Sequence, residues 1–257
     1  MKFFVEVAVR AAREAGAIIR RDFGRPSGVS FKARMNPVTE TDLAAERAVV
    51  SVLAREFPSH DILTEESAQA PRRSEYLWVI DPMDGTVNFT HNYPCVCSSV
   101  GLMRGDEIIA GVVFDPIHDE LFAAGKGNGA TLNGSPLRVS SVPSLEGSLL
   151  CTGFPYRLVE NPGDTFRVFE RISLMVQGVR RDGSAALDIC YVAAGRFEGF
   201  WERELRPWDT AAGVLILREA GGRATDFSGR EFDPFMPEIA ATNTLVHEEM
   251  LRVFRTS

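Results

Sequence analysis

From Cys97 to Leu132 the chain offers apolar runs broken only by compact turn signals: Arg104-Gly105-Asp106, Asp115-Pro116 and the glycines 125, 127 and 129. That spacing predicts antiparallel strands joined by short turns, a meander. Gly125-Lys126-Gly127-Asn128-Gly129 lacks the GxxxxGK[ST] pattern of a phosphate loop and lies between strand candidates, so it reads as a hairpin turn.

Helical segments come before the meander. Phe4, Val7, Ala8, Ala11, Ala15, Ile18 and Ile19 recur at helical spacing, with Arg10, Arg13, Glu14 and Arg20 falling between them. After a loop over 24–37, Asp42 to Phe57 reads as a second helix whose acidic start suits the helix dipole and whose end is marked by Pro58. Asp61 to Thr64 is a short strand candidate. Beyond about residue 140, strand candidates at 148–152, 178–181, 197–201 and 239–242 alternate with helical segments at 165–176, 185–194, 210–220 and 245–254. The expected class is α+β: an N-terminal α+β half over 1–140 packed tightly on a C-terminal α/β half over 141–257, with no long polar linker.

Composition narrows the function. The 45% hydrophobic content over 257 residues is ample for a core. A formal charge of −7 argues against a surface that binds nucleic acid or anionic membrane nonspecifically. The Arg and Glu residues within Met1 to Ala17 leave neither a signal-peptide core nor a membrane-length apolar run, so a cytoplasmic location is expected. Cys95, Cys97, Cys151 and Cys190 form no disulfide framework or zinc spacing and read as buried thiols. His60, His91, His118 and His247 form no ligand pattern, and Trp201 and Trp208 read as packing residues.

Immediately before the meander, Trp78-Val-Ile-Asp-Pro-Met-Asp-Gly-Thr86 ends an apolar run in two carboxylates, Asp81 and Asp84, split by a proline unsuited to a strand interior. Hard divalent cations such as Mg²⁺ prefer oxygen ligands, and carboxylates in a compact turn can share or bridge ions. The amides of Gly85 and Thr86 suit phosphate oxygens. Asp-Pro and Asp-Gly are also ordinary turn dipeptides. Asp42 at a helix start, Glu65-Glu66 after Ile62-Leu63-Thr64, and Asp209 after Pro207-Trp208 read individually as caps or solvated turn charges as readily as ligands.

Taken together, Asn36-Pro37-Val38-Thr39-Glu40-Thr41-Asp42, Thr64-Glu65-Glu66, Asp81-Pro-Met-Asp-Gly-Thr86, Gly183-Ser-Ala-Ala186 and Trp208-Asp-Thr-Ala-Ala-Gly213 resemble the inositol monophosphatase family, within the Mg²⁺-dependent, lithium-sensitive sugar-phosphatase superfamily. The resemblance implies an αβαβα layered sandwich. It also implies a homodimer that hydrolyses a small phosphorylated polyol or sugar with two or three Mg²⁺ ions. By that resemblance Glu65, Asp81 and the Met83 carbonyl bind the first ion, and Asp81, Asp84 and Asp209 the second. A weaker third ion would lie near Glu65. Thr86 and Asp42, with Glu65 nearby, orient or deprotonate the attacking water. Asp84, Gly85, Thr86, Gly183, Ser184, Ala185, Glu202 and Asp209 line the substrate.

Glu66 reads as a support of the site or a solvated charge, Lys32 as a counter-charge or a surface lysine, and Arg206 as a contact for another phosphorylated substrate. Glu202 suits neighbouring ring hydroxyls because a carboxylate accepts without donating. By the resemblance the preferred substrate is myo-inositol monophosphate, with fructose 1,6-bisphosphate, histidinol phosphate and a 3′-phosphoadenosine nucleotide as rivals; Glu202, which matches the ring-hydroxyl acceptor of inositol-specific relatives, and the short total length favour inositol over the nucleotide. A binder of RNA or transcription machinery that retains the fold is the alternative of another class. Independently of the resemblance, two ions about 3.5 to 4 Å apart can neutralise a phosphate ester, activate water and stabilise the leaving alkoxide without a covalent nucleophile.

Overall fold

The computed structural model describes residues 1–33, 36–67, 72–156, 158 and 162–256. The chain opens with α1 (Lys2–Asp22), whose buried face of Val7, Ala8, Ala11, Ala12, Ala15 and Ile19 is mostly alanine. Small residues let it lie close to its neighbours. A β-carbon at Gly16 would come within 2.5 Å of the Phe114 ring. A hairpin, β1 (Ser30–Ala33) and β2 (Asn36–Val38), follows, and then α2 (Glu40–Glu56). The hairpin lies inside the segment expected as loop; residues 34–35 fall outside the described residues. All four positions of β1 are exposed, so the hydrophobic alternation that announces a half-buried strand is missing.

Next come β3 (Asp61–Thr64), β4 (Tyr76–Asp84), the single turn α3 (Thr86–Thr90), and the expected meander: β5 (Cys97–Arg104), β6 (Glu107–Asp115), β7 (Glu120–Gly125), β8 (Ala130–Leu132) and the short β9 (Ser135–Pro136). These strands form one sheet in the order β3-β4-β5-β6-β7-β8-β9, with β3 parallel to β4 and every other pairing antiparallel. Strand β4 passes through Pro82 to Asp84, so both carboxylates sit at the strand's end, with a register shift between the pairs Asp81↔Ser99 and Asp84↔Cys97. The irregularity accommodates a residue without a ladder N–H and re-aims both aspartates at the strand's end.

The rest of the chain supplies β10 (Leu149–Thr152), α4 (Thr165–Ser173), β11 (Gly178–Arg180), α5 (Ala185–Ala193), β12 (Gly199–Arg203), α6 (Pro207–Glu219), β13 (Arg223–Thr225), β14 (Glu238–Thr242) and α7 (His247–Arg255). The second sheet runs β11-β10-β12-β14-β13. Its strand β13 is too short to stand out in the sequence. Helices α1 and α2 cover one face of the larger sheet through Ala45, Val49, Leu53, Trp78, Val100 and Val112. Helices α5 and α6 fill the space between the sheets, and α4 and α7 cover the outer face of the smaller one. The resulting order of layers is α, β, α, β, α.

Glycine sets how closely the central layer sits. A β-carbon at Gly111 on β6 would come 2.6 Å from the Ala212 carbonyl oxygen, so α6 lies flush on the sheet only because that strand position is bare. The Gly125–Gly129 turn also acts on α6: the amides of Gly127 and Gly129 donate to the two carboxylate oxygens of Glu219, each at 2.7 Å. The glycine-rich turn is indeed a hairpin turn, and its anion-accepting amides are filled by the chain's own glutamate.

Candidate active site

The end of β4 forms the floor of the site. Asp81 is buried, and its Oδ1 accepts from the Met83 amide at 3.0 Å, a local turn that fixes the carboxylate. Gly85 follows with φ of 92°, and a β-carbon there would come 2.7 Å from the Cys95 carbonyl oxygen, so both conformation and space demand glycine. The Thr86 hydroxyl lies 2.8 Å from Asp42 Oδ1 and 3.2 Å from the Met83 carbonyl.

Asp42 engages two partners with different oxygens. Its Oδ2 accepts from the Thr39 amide at 2.7 Å and hydroxyl at 2.5 Å, closing a capping box at the start of α2, while Oδ1 holds Thr86. Asp84 reaches across to the other sheet's helices: its Oδ2 accepts from the Ser184 hydroxyl at 2.7 Å and the Ala186 amide at 2.8 Å. The turn before α5 is thereby pinned to β4. Gly183 has φ of 82°, and the Asn88 side chain donates to the carbonyls of Asp182 at 2.7 Å and Cys95 at 2.8 Å. Ser184 is fully buried with its hydroxyl turned to Asp84, so only this segment's backbone is left to meet a ligand.

Asp209 occupies the first turn of α6, where Pro207 starts the helix and Asp209 Oδ2 accepts from the Arg206 amide at 2.6 Å. The Ser99 hydroxyl donates to the Trp208 carbonyl at 3.2 Å, tying this turn to β5, while Trp208 packs on the core. Trp201 is a buried packing residue in β12. Across the site, Lys32 on β1 places its ammonium 2.6 Å from Glu65 Oε1 and 2.7 Å from Glu66 Oε1. The lysine is therefore paired with both carboxylates rather than free on the surface.

Glu46 was not singled out in the sequence, yet it organises the Glu65-Glu66 turn. Its carboxylate accepts from the hydroxyls of Thr64 and Ser67 and from the Glu66 amide. Spacing could have found it, since Asp42 and Glu46 lie four residues apart on one buried face of α2. Tyr156 was also missed, and no local pattern points to it. Burial raises its hydroxyl pKa, and the charges of Asp84, Glu65, Asp209 and Asp81 raise it further, so the tyrosine sits within electrostatic range of all four.

The carboxylates strain against one another. Asp81 and Asp209 are pushed well above the usual carboxylate range, first by burial and then by their acidic neighbours: Glu65, Asp84, Asp209 and Asp42 for Asp81, and Asp84, Glu65 and Glu202 for Asp209. Asp84 rises to about 6 by burial, with hydrogen bonds from Ser184 and Ala186 opposing the shift. Burial raises Asp42 too, and lifts Glu66 to about 7 against the pull of Lys32. Glu202, in β12, is lifted to about 8 by burial and by Asp84, with Arg181 opposing. Glu65, Asp81, Asp84 and Asp209, from three separate regions of sequence, thus share one electrostatic neighbourhood.

Among the described residues no three His, Cys, Asp or Glu side chains converge tightly enough to hold an ion as they stand. The hydrogen bonds explain this: Asp81, Asp84, Asp209 and Glu65 each turn an oxygen to a protein donor, relieving repulsion that a cation would otherwise relieve. An all-oxygen donor set on clustered, part-buried carboxylates fits a hard divalent cation and no soft one.

The family model described as the inositol monophosphatase family matches residues 1–257. An inositol-1-monophosphatase of Synechocystis is 42% identical over 252 residues, 97% of this chain and 88% of the relative. A Nus factor SuhB of Pseudomonas aeruginosa is 42% identical over 258 residues, 98% of this chain and 95% of the relative. The solved structure of an inositol monophosphatase from Anabaena (Nostoc) superposes with a TM-score of 0.91 at 41% identity, covering 99% of this chain and 96% of that one. The layered fold agrees with these likenesses, and the chain belongs to the inositol monophosphatase family, a family of metal-dependent phosphatases.

Proposed function

We propose that this protein is a Mg²⁺-dependent phosphomonoesterase whose preferred substrate is myo-inositol monophosphate, cleaved to inositol and inorganic phosphate. The observation that carries the reading is the shared neighbourhood of Glu65, Asp81, Asp84 and Asp209 beside the Thr86–Asp42 pair. In this reading Glu65, Asp81 and the Met83 carbonyl would hold one Mg²⁺, and Asp81, Asp84 and Asp209 a second, with a third near Glu65. Bound there, such ions neutralise phosphate charge, lower the pKa of water and stabilise the leaving alkoxide.

The chain's own residues supply the rest. Thr86 donates its hydroxyl proton to Asp42 at 2.8 Å, which leaves the Thr86 oxygen as an acceptor aimed at the attacking water. As the water oxygen bonds to phosphorus, its proton passes to Thr86 Oγ while the threonine proton moves to Asp42, and the ester P–O bond breaks with its electron pair on the alcohol oxygen, which takes a proton from solvent as Asp42 gives up its own. Burial of Asp42 raises its pKa and so its basicity. The Gly85 and Thr86 amides hold phosphate oxygens, the Gly183–Ala185 backbone meets the alcohol, and Glu202 accepts from its hydroxyls.

The family resemblance supports a homodimer and the halves 1–140 and 141–257. No helix among the described residues is long and apolar enough to cross a membrane, and a cytoplasmic location is part of the proposal. The relatives named Nus factor SuhB favour a second reading, in which the chain also takes part in transcription. Sedimentation of the purified protein with and without RNA polymerase tests it, and unchanged profiles reject it.

Phosphate release is the decisive test of the first reading, measured on inositol monophosphate, fructose 1,6-bisphosphate, histidinol phosphate and a 3′-phosphoadenosine nucleotide. Turnover should be highest on inositol monophosphate, require Mg²⁺ and fall with Li⁺. Full turnover in excess chelator rejects the metal mechanism, and a flat profile rejects the substrate.

A further inference from the structure

Strands β10 and β12 run parallel with Thr152 paired to Trp201, and the Thr152 hydroxyl donates to the Trp201 carbonyl at 2.7 Å. The residues that follow this pair are therefore neighbours: Gly153, just past the end of β10, beside Glu202 of β12. A β-carbon built on Gly153 overlaps all three atoms of the Glu202 carboxyl group. The carboxylate thus rests directly on a bare α-carbon. Gly153 is not among the residues with positive φ, so its backbone does not call for glycine. Space for Glu202 is what the missing side chain provides.

The same carboxylate lies in electrostatic range of Asp84 and Asp209 on one side and Arg181 on another. Beside it, a cavity of only about 10 Å³ is lined by Gly153, Trp201, Glu202, Arg203 and Phe227.

We propose that Gly153 is a specificity-determining position, whose missing side chain seats the Glu202 carboxylate where it meets the hydroxyls of the alcohol. A larger residue moves that carboxylate and changes which alcohol is accepted. This rests on the reading of Glu202 as the acceptor for polyol hydroxyls, and it adds the reason the acceptor stands where it does. Gly153 is a positioning residue in this scheme. The overlap is with the tip of a flexible side chain rather than with backbone, so the fold absorbs an added methyl by moving Glu202 alone.

The readout is selectivity: the ratio of kcat/KM for inositol monophosphate to kcat/KM for 4-nitrophenyl phosphate, which carries no polyol hydroxyls. Gly153→Ala should lower this ratio about 10 to 100-fold, mainly through a raised KM for inositol monophosphate. Glu202→Gln should lower it comparably, and Gly153→Ala/Glu202→Gln should go no lower than either alone, because both changes remove one contact. Gly153→Ala/Glu202→Asp should recover part of the ratio lost by Gly153→Ala, since the shorter acid withdraws from the methyl. A ratio unchanged by Gly153→Ala but lowered by Glu202→Gln overturns the seat and leaves the reading of Glu202 intact. A ratio unchanged by Glu202→Gln overturns that reading and this inference together. A Gly153→Ala protein that fails to fold also overturns the inference, which requires the methyl to be absorbed by one side chain.

Discussion

Lys32 offers a direct test of how the acidic site is balanced before any cation arrives. Its ammonium holds Glu65 at 2.6 Å and Glu66 at 2.7 Å, so an ion approaching Glu65 must share or displace it. Lys32→Met keeps most of the stem and removes the charge. A hydrogen bond between charged groups contributes about 1.5 to 3 kcal/mol. The Lys32 and Glu65 side chains are 28% and 22% exposed, so screening reduces the contribution of this pair to about 1 kcal/mol. Relieving the ion of that competition should tighten Mg²⁺ binding by about fivefold, since about 1.4 kcal/mol is tenfold.

Removing a positive charge from the cleft pushes in the same direction. The metal-free fold loses what the ion gains, so the variant should be less stable than the parent in chelator by about 1 kcal/mol, with the gap closing in excess Mg²⁺. Calorimetric Mg²⁺ titration into metal-free protein measures the first effect and urea denaturation the second. Weaker or unchanged Mg²⁺ affinity in Lys32→Met would refute the idea that the ammonium stands in for an ion at Glu65.

Two further perturbations separate the site from the scaffold. Asp81→Asn or Asp209→Asn should cut kcat by more than about 100-fold and weaken Mg²⁺ binding. Each should also raise the melting temperature in chelator, because one of several mutually repelling carboxylates is gone; calorimetric titrations that match the parent's show the ligand assignment to be wrong. His247 tests the scaffold: its buried ring lies 2.9 Å from both the Thr225 and Thr242 hydroxyls, and burial lowers its pKa to about 4. The unfolded chain takes up that proton first, near pH 6.5, so the contribution is full above 6.5 and drains as pH falls toward 4, by about 3 kcal/mol. Urea denaturation of the parent and His247→Gln across that window should differ in pH slope, and identical slopes refute the shift.

The parts of the architecture that can be read from the sequence are those where side-chain period and turn chemistry act alone. The meander from Cys97 is marked by Gly105, Pro116 and the 125–129 glycines, and α1 by its alanine face; both stand in the structure as read. The β1–β2 hairpin escaped because every residue of β1 faces solvent and leaves no alternation to read. At Pro82 a sound local rule was overridden by a register shift that only the neighbouring strand reveals. The candidate site follows the same division. Asp42, Glu65, Asp81, Asp84 and Asp209 sit at element ends, where a motif can flag them. Tyr156 and Gly153 matter through contacts far apart in sequence, which no local pattern encodes, and Glu46 is betrayed only by its helical spacing from Asp42.

Other long-range contacts converge on α6, and they tie the stability of the sandwich to the geometry of the carboxylates. The helix lies flush on the larger sheet because Gly111 is bare. Its C-terminal end is held by Glu219, clamped between the amides of Gly127 and Gly129, and its N-terminal turn is held by Ser99 at the Trp208 carbonyl. Asp209 therefore projects from a rod fixed at both ends against the same sheet whose strand β4 carries Asp81 and Asp84. Asp84 in turn grips Ser184 and Ala186 at the start of α5, the neighbouring helix of the middle layer. The two helices of the middle layer are thereby fixed to the larger sheet at the acidic cluster. That explains how Asp81, Asp84 and Asp209, drawn from distant parts of the chain, can be held near one another despite their repulsion: the like charges act on side chains mounted on anchored strand and helix positions, not on loops free to recoil.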